Sequence, residues 1–222
     1  MTQAPSYTQL ILDLPVRIGS DREDFLVTQS NADAVDWVDN WPDWPMHLLV
    51  VVGPPKSGKT HLAHVWRTRA NAYWHRPGSM YESQHQAGQG KSICLDINGQ
   101  IEDEEAFLHL YNWSKEHGAT LLVTATEPPK KWDIALPDLR SRLLASNVVA
   151  MGAPDDTLLA AVMVKQFSDR QLAISEDVLR YLVPRIERSF EYAGQVVERL
   201  DEASMAEGRA VTVPLAKKVL AF

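Results

Sequence analysis

The run Gly53-Pro54-Pro55-Lys56-Ser57-Gly58-Lys59-Thr60 fits the pattern G-x-x-x-x-G-K-[ST] and constrains the fold more tightly than any other stretch of the chain. Such a loop turns its backbone N–H groups inward, toward phosphate oxygens. Lys59 is placed to reach the β- and γ-phosphates, and the Thr60 hydroxyl to hold a magnesium ion. The surroundings suit the mechanism. His47-Leu48-Leu49-Val50-Val51-Val52 reads as a buried parallel strand ending at the loop. His61-Leu62-Ala63-His64-Val65-Trp66 continues it as a helix, whose positive N-terminal end points at the same anion.

Bulk properties set the class. The chain has 222 residues, of which 45% are hydrophobic and 23% charged, as expected of one globular α/β unit with a small appendage. No apolar run reaches membrane-spanning length and the N-terminus has no secretory pattern, so a cytoplasmic location without membrane contact is expected. The single cysteine, Cys94, lies in an apolar stretch and reads as a small buried hydrophobe. A net charge of −7 argues against strong direct binding to DNA, which needs a concentrated basic surface.

The chain divides into three parts. Residues 1–22 read as an extended polar tail carrying a short apolar motif, 23–152 as alternating strands and helices, and 153–222 as helices alone. Further strands are expected at 72–74, 93–97, 119–124 and 148–151, with a loop over 78–90 and a helix over 103–117. Pro128-Pro129 excludes a helix at that point. Helices are expected at 156–169, 175–186, 190–205 and 213–220, with Ser175 as an N-cap. The fold class is α/β: a P-loop nucleotide-binding parallel sheet flanked by helices, followed by a C-terminal helical lid.

Other residues complete a candidate site. Asp96 ends an apolar strand downstream of the loop, where an acid would orient water around magnesium. The next position, where hydrolytic P-loop proteins often carry a second acid, is Ile97, so weak intrinsic ATP hydrolysis is expected. Thr124 or Thr126, at the end of the fourth expected strand, could sense a γ-phosphate through a hydroxyl. Arg140 and Arg142 lie in Leu136-Pro137-Asp138-Leu139-Arg140-Ser141-Arg142-Leu143 and offer planar, permanently charged guanidinium groups.

Together these features resemble the AAA+ domain of the bacterial replication initiator DnaA, and most closely the Hda/HdaA family of DnaA regulators. Gly58-Lys59-Thr60-His61-Leu62-Ala63-His64 is similar to the family's GKTHL-x-H signature, Phe25-Leu26-Val27-Thr28-Gln29-Ser30-Asn31 to its base-cradling segment, and Pro137–Leu143 to its arginine-finger box. Gln9-Leu10-Ile11-Leu12-Asp13-Leu14-Pro15 resembles a sliding-clamp-binding peptide, in which Leu10, Leu12 and Leu14 would enter apolar pockets and Gln9 would anchor them. The resemblance implies a clamp-associated protein that binds ADP or ATP with Mg²⁺ and drives hydrolysis of the ATP held by DnaA. Arg142 would be the finger acting in trans, with Arg140 the alternative. Nucleotide contacts would come from residues 53–61, Asp96, Thr124 or Thr126, and the lid, with Arg188 the candidate and Glu191 the residue one turn away. Homo-oligomerisation is compatible with the resemblance. The chain stops shortly after the lid and is read as lacking the initiator's DNA-binding domain.

Two other classes also fit a P-loop chain of this length. A DNA-binding replication ATPase or helicase loader would show DNA affinity with a steep salt slope in the absence of clamp. A small-molecule kinase would transfer phosphate to nucleosides or nucleotides. The first would need a basic face, which a net charge of −7 disfavours, and the tail has no role in the second. Gln9→Ala combined with Leu10→Ala is expected to abolish clamp pull-down without changing the circular dichroism spectrum; retained binding would remove the tail from the mechanism.

Overall fold

The computed structural model describes residues 25–75, 80, 91–97 and 101–221. The expected tail motif of Gln9, Leu10, Leu12 and Leu14 lies outside the described residues, as does the expected 78–90 loop apart from Met80.

Five parallel strands form one sheet in the order β2-β3-β4-β1-β5: β1 (Leu48–Val52), β2 (Tyr73–Trp74), β3 (Ile93–Asp96), β4 (Leu121–Ala125) and β5 (Asn147–Ala150). All five residues of β1 are buried. Successive side chains of a strand point to opposite faces, so such a strand needs cover on both. Leu48, Val50 and Val52 pack on one face with Leu95, Leu121 and Val123, under Phe107 and Leu110 of α3 (Glu104–Glu116) and Leu139 and Leu143 of α4 (Pro137–Leu144). Leu49 and Val51 pack on the other with Cys94 and Leu122, under Val35 and Val38 of α1 (Ala32–Asp39) and Leu62, Val65 and Trp66 of α2 (Lys59–Ala70). Trp66 stacks on Trp44 at 5.5 Å and meets Trp41 edge-on at 6.2 Å. Cys94 is fully buried, and desolvation pushes its thiol well above the ordinary value, which leaves it inert.

Four helices follow the sheet: α5 (Asp156–Asp169), α6 (Glu176–Leu182), α7 (Phe190–Glu207) and α8 (Val213–Leu220). They build a core of their own from residues such as Met163, Phe167, Leu182, Val197 and Leu200. A small cluster of Leu26, Leu158 and Ala161, with Val162 and Phe190 against it, joins this lid to the segment before α1. Among the described residues no helix is long and apolar enough to cross a membrane.

The elements differ from the expected ones in instructive places. The helix expected to run to Ile186 ends at Leu182, because Pro184 has no N–H to continue it, and a 3₁₀ turn over Val183–Arg185 follows. Pro128-Pro129 does not exclude helical structure altogether: a short 3₁₀ turn begins at Pro129, a first-turn position that proline tolerates. Helix α1 is not anticipated from the sequence. The residue before it, Asn31, is of a capping type, but its side chain donates to Leu26 O and accepts from Thr28 N instead of capping the helix. Ser175 precedes α6 in the expected position, but its hydroxyl makes no capping bond. Capping side chains are instead Asp103 on α3, Asp155 on α5, Ser189 on α7 and Thr212 on α8.

This contrast is measurable. Ser189 is buried and accepts from Tyr192 N at 3.1 Å. Ser189→Ala is expected to cost about 1 kcal/mol, lowering Tm by roughly 2–4 °C. Ser175→Ala is expected to stay within about 0.5 kcal/mol. Scanning calorimetry distinguishes the two.

Candidate nucleotide-binding site

The carboxyl ends of β1, β3 and β4 converge, as is usual for ligand sites of open parallel sheets. Gly53 leaves β1 with its N–H bonded to Ala125 O of β4 at 3.2 Å. A Cβ on Gly53 would lie 2.4 Å from the Met151 carbonyl oxygen, so no larger residue fits unless the backbone moves. Pro54, Pro55 and Lys56 form the exposed outer arc of the loop. Gly58, at φ 93°, occupies the left-handed conformation that opens helix α2, and its carbonyl accepts from Leu62 N.

Two polar side chains are enclosed by the loop. Lys59 is 8% exposed and its ammonium donates to Gly53 O at 2.9 Å and Pro54 O at 2.7 Å. Burial lowers its pKa, partly offset by the Asp96 carboxylate. Ser57 is 2% exposed and its buried hydroxyl has no hydrogen-bond partner among the described residues. A buried hydroxyl without a partner is costly, and it is explained if the loop normally closes on an acceptor-rich anion.

Asp96 links the neighbouring elements. Thr124 Oγ1, fully buried, donates to Asp96 Oδ1 at 2.7 Å, and Thr60 Oγ1 donates to Asp96 Oδ2 at 3.3 Å. Of the two threonines expected near the γ-phosphate, Thr124 joins this chain; Thr126 lies beyond the end of β4 and is half-buried. One carboxylate and one hydroxyl are hard oxygen donors suited to Mg²⁺ that is otherwise held by phosphates and water. Among the described residues there is no group of three His, Cys, Asp or Glu side chains that would form an all-protein metal cage.

Beside the loop lies a cavity of about 360 Å³ lined by Phe25, Leu26, Asn31, Gly58, His61, Leu158, Val162, Lys165, Gln166, Asp169 and Phe190. His61 sits against the Phe25 ring at 5.2 Å. Buried Asn31 ties the segment down by donating to Leu26 O, and Gly152 N donates to Ser30 O. The lining from the lid (Leu158, Val162 and Phe190) carried no sequence signal, since these residues lie about a hundred positions from the loop or more and follow ordinary helix periodicity.

The candidate arginines occupy different settings. Arg142 makes a bidentate pair with Asp138 through Nε and an Nη, each at 3.0 Å, and its other Nη donates to Asn112 at 2.7 Å. Its guanidinium carbon lies 5.3 Å from the centre of the Tyr111 ring, and the bond to Asp138 raises its pKa further. Arg140, two residues earlier on α4, is exposed, and its guanidinium has no ion-pair or hydrogen-bond partner among the described residues. In the lid, Arg188 pairs with Asp156 at 2.9 Å and does not meet the loop. Glu191 does, with Oε2 2.7 Å from the Lys56 ammonium.

Comparison with known proteins agrees with this architecture. Residues 155–220 match the family described as "Hda, lid domain". An uncharacterised protein of Haemophilus influenzae is 28% identical over 195 residues, covering 82% of this chain and 84% of its own. Domain III of the Thermotoga maritima replication initiation protein DnaA superposes with a TM-score of 0.74 at 16% identity, covering 91% of this chain and 95% of that one. AMPPCP-bound DnaA from Aquifex aeolicus gives 0.64 at 17% identity, with coverage of 85% and 67%. The chain spans 65% of another similar structure, described as a DNA replication initiation factor. Residues 155–220 thus match the Hda lid domain, and the phosphate-loop sheet with its order of strands shares the fold of DnaA domain III.

Proposed function

We propose that the chain is a nucleotide-bound negative regulator of replication initiation, acting on DnaA by protein–protein contact. The observation that carries this reading is an Hda-type lid set over a phosphate loop that encloses Ser57 and Lys59. Residues 53–61 would hold the phosphates of ADP or ATP, and the cavity between Phe25, His61 and Leu158 would take the base. Thr60 and Asp96 would hold Mg²⁺, which supplies neutralisation of phosphate charge. Thr124 fixes the Asp96 carboxylate in place. Ile97, buried and apolar, follows Asp96 where a water-polarising acid would be needed, which supports slow intrinsic turnover.

The regulatory step belongs to an arginine offered to the triphosphate held by DnaA, where a permanently charged planar fork offsets developing charge. Arg142 is that residue in our reading. Its bonds to Asp138 and Asn112 hold the guanidinium in one orientation while leaving two of its five N–H groups for a partner. The freedom of Arg140 favours a second assignment, in which Arg140 is the finger and Arg142 braces α4. Tethering to the DNA polymerase sliding clamp through residues 9–15, a cytoplasmic setting and the absence of strong direct DNA binding complete the proposal.

The decisive assay mixes the protein with clamp, DNA and ATP-loaded DnaA and follows ADP formation. Stimulation is expected with the unaltered chain, and none supports a different function. Arg142→Ala is expected to reduce stimulation by about 10³-fold, the scale of an arginine finger, while clamp binding is unchanged. The same loss from Arg140→Ala alone would move the assignment. Lys59→Ala is expected to weaken ADP binding at least about tenfold, by removing a charge-assisted contact, measured by titration calorimetry.

A further inference from the structure

Strand β5 ends the sheet, and its outer edge is unpaired among the described residues. Met151 N donates to Val52 O at 2.7 Å, so in this parallel ladder the odd-numbered residues bond inward to β1. The N–H and C=O groups of Val148 and Ala150 therefore point outward, and no backbone partner meets them among the described residues. An open groove of about 400 Å³ lies between this edge and α1. Asp33, Asp36, Trp37 and Asn40, spaced three and four residues apart along α1 and its C-terminal cap, form the helical wall. Asp33 and Asp36 are exposed, and neither carboxylate has an ion-pair or hydrogen-bond partner among the described residues. On the other face of the strand, Val148 shares the side of Val50 and is exposed, as is Leu144 at the end of α4, the helix that covers that face.

We infer that the β5 edge and the α1 stripe form a docking groove for an extended peptide of a partner protein, one in which basic and aliphatic residues alternate. The backbone of such a peptide pairs with Val148 and Ala150 as a sixth strand. Its side chains then alternate between the two faces of the sheet. Those on the α1 side meet two unpaired carboxylates and the Trp37 ring, which suit lysine or arginine. Those on the other side meet Val148 and Leu144, which suit an aliphatic residue. Charge decides between the possible occupants. A second copy added through the same edge about a two-fold axis would set its own Asp33 and Asp36 beside these, in a chain of net charge −7. Residues 1–24 of the same chain hold two basic against four acidic residues, so they would meet the carboxylates with the wrong sign. The groove shares no lining residue with the cavity beside the phosphate loop.

The probe is a fluorescein-labelled peptide of alternating valine and lysine, titrated into the full chain by fluorescence polarisation. Its control has the same composition with the valines and lysines in two separate blocks. The alternating peptide is expected to bind at least about tenfold more tightly. Equal binding of the two would reduce the effect to net charge and overturn the inference, as would no binding of either. Bound peptide is expected to slow amide exchange at Val148 and Ala150; unchanged exchange there overturns strand addition. Val148→Pro removes one outward donor and no bond to β1, and is expected to weaken the alternating peptide about three- to tenfold. Asp33→Asn combined with Asp36→Asn leaves the backbone edge untouched and is expected to weaken it by a similar about three- to tenfold, with a flatter salt dependence. Full affinity in that double variant overturns the charge argument. If Val148→Pro instead turns a dimer of the unaltered chain into a monomer by sedimentation, the edge belongs to a second copy and the inference fails.

Discussion

The Asp96 carboxylate is where separate parts of the chain become one site. It ends β3, accepts from Thr124 on β4 and accepts from Thr60 at the start of α2. Those bonds depend on the parallel register that sets Asp96 beside Thr124 and Val51 beside Thr124 on its other side. A one-residue slip would reverse every side chain of a strand between the two apolar faces, so the cores above and below the sheet hold the register. Burial of the strands thus fixes the geometry of a polar site at their ends. Hydrogen bonds to a charged group contribute about 1.5–3 kcal/mol each, small beside the apolar packing that positions them.

Much of this arrangement was legible in the sequence. Five apolar stretches with helical segments between them indicated a parallel sheet, and the glycine-lysine loop marked which strand end carried the phosphate site. The loop, Asp96 and Thr124 lie together at the ends of the strands. What stayed hidden depended on three-dimensional proximity. Nothing local distinguishes Thr124 from Thr126, which strand periodicity assigns to one face; the end of the strand does, since β4 stops at Ala125 and Thr124 is the register partner of Asp96. Nothing local tells that Asp138 and Asn112 share Arg142, because Asn112 lies thirty residues away on another helix. Helix α1 does have a capping residue type at its start, Asn31, but that side chain ties down the segment before the helix instead. In the lid, the sequence reading makes Arg188 the candidate neighbour of the loop, with Glu191 one turn away; once helix α7 is placed, Glu191 pairs with Lys56 and Arg188 with Asp156.

The two functional surfaces therefore differ in electrostatic character. At the loop, Glu191 of the lid pairs with exposed Lys56. On α4, a guanidinium is braced by an acid and an amide, with an unpaired arginine two residues away.

The thin apolar contact between Leu26 and Leu158 has a mechanical consequence. The sheet and the lid each possess a substantial interior, whereas the seam joining them is narrow and borders the cavity. Cooperativity between two such bodies is set by what they share, not by what each contains. Whatever molecule fills that cleft becomes a structural member, and the stiffness of the hinge is then a property of the cargo as much as of the polypeptide.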